Sequence, residues 1–99
     1  MTTQQWRFKD PPNVAVIANR RIIFDGDWIA YVSHNSDDGA RQFHTSQLEP
    51  VSECDAVLVS LQSIVKLDST VLALADLPPG WHAWRDSKWA AWQRAQQTD

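Results

Sequence analysis

A length of 99 residues, a formal net charge of −3 and a single cysteine already exclude several classes of protein. The chain is long enough for one domain with a modest core, and Leu, Ile, Val and Phe supply 23 of its 99 residues, too many for disorder to be the default. Basic and acidic residues are spread evenly over both halves, so there is no basic arm to grip nucleic acid without regard to sequence.

A membrane role has as little support. The longest apolar runs, Val14–Ala18 and Val71–Ala75, are five residues each, far short of a span. The opening Met1-Thr2-Thr3-Gln4-Gln5-Trp6 offers no apolar signal core. Cys54 has no partner in its own chain, which fits a reducing cytoplasm. The expectation is one domain over 1–99, with 1–12 and 96–99 loosely ordered.

In chain order, Asp10-Pro11-Pro12-Asn13 stops any helix, and Val14–Ala18 then reads as a short buried strand. Residues 19–24 fit either more sheet or a single helical turn. Asp25-Gly26-Asp27 is a turn. Trp28–His34 and Ala40–Thr45 form a predicted hairpin around Asn35–Gly39, with Asp38-Gly39 supplying the positive φ. Ser46–Asp55 is polar and reads as a connecting loop, and Ala56–Ser60 as a second buried strand.

From Leu61 the apolar period becomes helical, through Ile64, Val65, Val71, Leu72 and Ala75. Asp68 falls on that stripe, where a buried unpaired carboxylate is costly. Breaking the helix there, with Asp68 capping a second one, removes the conflict. Pro78-Pro79 end that second helix. Trp81–Arg85 reads as a last strand, and Ser87 as the cap of a closing helix over Lys88–Gln96. Strands and helices in this irregular order predict an α+β domain: a mainly antiparallel sheet with helices packed on it.

No familiar chemistry assembles from these residues. In the predicted hairpin His34 faces Ala40 and His44 faces Ala30, so the two rings share a side but stand roughly 13 Å apart. A one-residue bulge sends them to opposite sides. Neither geometry holds one zinc ion between them, and His82 could join only through a tertiary contact. The acidic turns invite a calcium loop, but aligning Gly39 with its glycine puts His34 first and Thr45 last, where carboxylates belong. Cys54 lies between Glu53 and Asp55, which oppose thiolate formation. Three glycines write neither a phosphate loop nor a dinucleotide fingerprint. The residues therefore predict no catalytic group, no metal and no cofactor.

Six tryptophans are many for this length: Trp6, Trp28, Trp81, Trp84, Trp89 and Trp92. Bulky rings can make up for limited core volume, or one or two can anchor a partner. The candidate partner-binding residues are the acidic pairs Asp25, Asp27 and Asp37, Asp38, with Trp81 and Trp84. The alternative is a small-ligand module that stacks a flat molecule on Trp81, Trp84, Trp89 and Trp92.

Two stretches carry a family resemblance. The first joins Asp10-Pro11-Pro12-Asn13-Val14-Ala15-Val16, Trp28–His34 and Asp37-Asp38-Gly39-Ala40-Arg41-Gln42-Phe43. The second is Val57-x-x-x-Leu61-x-x-Ile64-Val65-x-Leu67-Asp68-x-x-Val71-x-x-Leu74-Ala75-Asp76-Leu77-Pro78-Pro79-Gly80-Trp81-x-Ala83-Trp84-Arg85. Together they resemble a small bacterial family of unknown function related to immunity proteins of polymorphic toxin systems (immunity protein thirty-three and its relatives). The resemblance spans about residues 10–86 and is most specific from Asp68 to Arg85. It departs from the family at Arg41, where an aromatic is usual, and leaves out the tail Lys88–Asp99. It implies a bacterial, cytoplasmic, non-enzymatic domain whose partner is another protein, a toxin domain, rather than nucleic acid or membrane.

Overall fold

A computed structural model of the chain describes residues 6–37, 39–46 and 56–97. Along them run β1 (Ala15–Asn19), α1 (Arg20–Phe24), β2 (Tyr31–His34), β3 (Arg41–His44) and β4 (Ala56–Ser60). There follow α2 (Leu61–Leu67), a 3-10 helix (Ser69–Leu74), β5 (Trp81–Trp84) and β6 (Gln93–Gln96). The strands make one sheet in the order β4-β1-β3-β2-β5-β6. Only β1 and β3 run parallel; the other neighbours are antiparallel, which gives the expected α+β arrangement.

Local chemistry explains most boundaries. Asn19 ends β1 in an extended conformation, and its side chain accepts the Arg21 amide at 2.9 Å. That cap turns 19–24, open between strand and turn in the sequence, into α1. Asp25 closes the helix by donating its amide to the Arg21 carbonyl at 3.0 Å. The Ser60 side chain accepts from Ser63 and opens α2, which buries Leu61, Ile64 and Val65. Asp68 breaks the stripe as predicted and accepts the Thr70 amide at 3.0 Å. The second helix is 3-10 rather than α, and it stops short of Pro78-Pro79.

Two expectations need correction. The hairpin loop is Asn35–Ala40, closed by the Asn35 amide on the Ala40 carbonyl at 2.8 Å, with Gly39 at φ +72. It is one residue longer than the predicted loop, so Tyr31 pairs with His44 and His34 with Arg41. A one-residue change in register reverses which side each residue faces, and His34 and His44 lie on opposite faces. The strand expected from Trp28 begins only at Tyr31, although the Ala30 amide still reaches the His44 carbonyl at 2.9 Å.

The closing helix is also absent. Gln93–Gln96 instead forms β6 against β5, pairing Trp81 with Gln96 and Trp84 with Gln93. A nine-residue helix gains little by itself, while an unpaired β5 edge leaves backbone groups without partners. Sheet pairing overrides the alanine propensity.

All three helices bury residues in one apolar cluster, with Val16, Ala18, Val32, Phe43 and Ala83 from the strands. Phe8 joins it from the segment before β1. Among the described residues, no helix is long and apolar enough to cross a membrane.

Candidate functional site

Strand alternation sends Val16, Ala18, Val32, Phe43 and Ala83 to the helix-covered side, so their neighbours face the other way. Register places Leu58, Ile17, Gln42, Ser33, His82 and Ala95 in one row across all six strands of that second face. Beside it runs a second row, His44, Tyr31, Trp84 and Gln93. None of the three helices contributes its buried residues to this side.

The two rows meet in an aromatic cluster. The Tyr31 ring lies 5.7 Å from His44 and 5.5 Å from His82, edge-on to the latter, and His82 lies 5.3 Å from Trp84. Tyr31 Oη and His82 Nδ1 are 2.7 Å apart, and the Gln97 side-chain amide donates to the same phenol at 3.4 Å. The phenol can give its proton to His82 Nδ1 or accept one from it, so this pair adapts to either ring tautomer. Burial holds His44 below its ordinary pKa, so its imidazole is neutral at pH 7. The result is an aromatic surface without a carboxylate, lysine or arginine in its two rows, flanked by Ile17 and by Leu58, which is 71% exposed. Such a surface suits an interface core, where aromatics are enriched and charges depleted.

The six residues singled out from the sequence do not converge. Asp25 and Asp27 lie beyond the end of β1, whereas Asp37 is in the β2–β3 loop at the opposite end of the strands. Asp25 serves as the C-cap of α1, and Asp27 accepts the Trp28 amide at 2.9 Å. Asp37 is exposed and donates its amide to Asn35 Oδ1, while Asp38 lies outside the described residues, as does Cys54. Trp81 and Trp84 stand three apart on β5 and face opposite sides, Trp81 against the core and Trp84 in the aromatic cluster.

The remaining C-terminal rings are dispersed as well. Trp92 packs against the core, with a buried indole nitrogen that has no hydrogen-bond partner among the described residues, and Trp89 is 87% exposed. The four tryptophans therefore share no one stacking surface. Of the predicted six, only Trp84 sits in the cluster. Tyr31, His44 and His82 were missed, because their association depends on a register that a single loop residue decides.

Among the described residues, no group of three or more His, Cys, Asp or Glu side chains is placed to hold a metal ion. No protein-family model, curated protein or solved structure matches the chain.

Proposed function

We propose that this chain is a non-catalytic cytoplasmic interaction module that neutralises a protein partner, a toxin domain, by covering it with the open sheet face. The observation that carries the reading is the aromatic strip His44, Tyr31, His82 and Trp84 on the side of the sheet away from the helices. Clustered aromatic anchors on a rigid sheet can bind without chemistry, since little side-chain freedom is lost on docking. The net charge of −3 favours a basic partner and speeds its approach. The resemblance to immunity proteins points the same way.

The test is protection in cells. Co-expression with a panel of toxin domains from polymorphic toxin systems is expected to restore growth under at least one of them. Gln42→Lys, at the centre of the face, and Trp84→Ala are expected to abolish protection while leaving the circular dichroism spectrum unchanged. Full protection by both folded variants, or the absence of any toxin that the chain neutralises, contradicts the proposal.

A further inference from the structure

On the helix side of the sheet, where β1 and β3 begin and β2 ends, a cleft of about 740 Å³ opens between the strands and the Ala75–Pro79 segment. Its size is that of a small-molecule site, and Val14, Val16 and Leu77 give it apolar walls. Five titratable side chains share the lining: Arg41, His34 and Lys9, with the carboxylates Asp10 and Asp76.

Arg41 is the unusual one. Its side chain is only 5% exposed, and its guanidinium lies 4.9 Å over the Phe8 ring. Its bond to Asp10 Oδ2 is a single 3.3 Å contact from Nε, to a carboxylate that is itself 39% exposed. The two terminal nitrogens bond no described side chain, and neither is fully enclosed, so both are open to an acceptor that enters the cleft. His34 is buried beside it, with Nδ1 2.7 Å from the Leu77 carbonyl. A carbonyl only accepts, so Nδ1 donates.

We propose that this cleft binds a small organic carboxylate, with the carboxylate on the free end of the Arg41 fork and its apolar body against Val14, Val16 and Leu77. A planar carboxylate matches the two parallel donors of a guanidinium. Arg41 and Lys9 against Asp10 leave one positive charge over. Asp76, also in the lining, is neutralised by Arg94 at 2.8 Å. That balance suits a monoanion better than a phosphate dianion. The site faces away from the aromatic strip, so it stands or falls independently of the protein-partner reading.

The probe is 4-methylpentanoate titrated into the intact protein, followed by nitrogen–proton correlation spectra. Trp6 is a built-in reporter, since its indole donates to the Asp10 carbonyl at 2.7 Å and its ring stacks 5.5 Å from Phe8. Saturable shifts are expected at the Trp6 indole, the Arg41 Nε–H and the Leu77 amide. The neutral 4-methylpentanamide should bind at least tenfold more weakly, and Arg41→Met should abolish carboxylate binding. The amide comparison uses unaltered protein, so it decides the matter even where Arg41→Met fails to fold. N-acetyl-Leu-Leu with a free C-terminus separates the sources: tighter binding than 4-methylpentanoate identifies a chain terminus as the natural carboxylate, weaker binding a free acid. Equal binding of acid and amide, or no saturable shift at these groups, overturns the proposal.

Discussion

The Asp68 carboxylate and the Arg85 guanidinium meet at 2.6 Å, tying the head of the 3-10 helix to the end of β5. Arg85 also donates from Nε to the Ile29 carbonyl at 2.8 Å and from Nη1 to Thr70 Oγ1 at 3.0 Å, and it lies 4.2 Å over the Trp92 ring. The pairing of Asp68 with Arg85 explains how a carboxylate sits on an apolar stripe.

Arg85 has a side-chain exposure of 1% and Asp68 of 15%, so removing one partner strands the other in a poorly solvated place. Asp68→Ala is expected to cost about 3 kcal/mol or more in urea unfolding. Asp68→Asn is milder, because asparagine still caps the 3-10 helix. Arg85→Lys behaves as a loss, since a single ammonium cannot reproduce the three directed bonds.

Acid should attack the same pair. Burial alone raises the Asp68 pKa, but hydrogen bonds from Thr70 and Arg85 outweigh it and hold the carboxyl below its ordinary 3.8. Because the folded value is depressed, the contribution is complete above 3.8 and is lost as pH falls from there through the folded value. Urea midpoints measured against pH should fall in that window, and the fall should shrink in Asp68→Asn.

His44 predicts a second, separate window. Burial lowers its folded pKa below 6.5, so the unfolded chain takes up the proton first. Stability declines as pH drops below 6.5 and levels off below the folded value. His44→Phe should flatten this slope and leave the acid limb of Asp68 intact. Proton resonances of the His44 ring, titrated by NMR, should give a midpoint under 6.5.

Asn19 makes the turn from β1 into α1, and its side chain has no substitute for the Arg21 amide. Asn19→Ala is expected to cost about 1 kcal/mol, and Asn19→Asp much less, by chemical denaturation.

Local chemistry was legible in the sequence at several positions where one residue settles the outcome, though not at Asn19. Asp68 as a cap, Gly39 at the hairpin, the break before Pro78 and β5 after Gly80 all follow from single side chains or backbone constraints. The candidate face was not legible, because a loop of six residues in place of five moves His44 opposite Tyr31 rather than Ala30. Nor could Lys88–Gln96 reveal that it forms β6. Its alanines favour a helix, and the β5 edge that recruits it lies elsewhere in the chain.

The sheet face bearing Tyr31, His82 and Trp84 is proposed as the surface on which a protein partner docks. Chemical-shift mapping with the isotope-labelled chain and the toxin domain that it protects against tests this most directly. Perturbations are expected at Tyr31, Ser33, Gln42, His44, His82 and Trp84. Perturbations confined to the Asn35–Ala40 loop or to the helices, with those six signals unmoved, would contradict it.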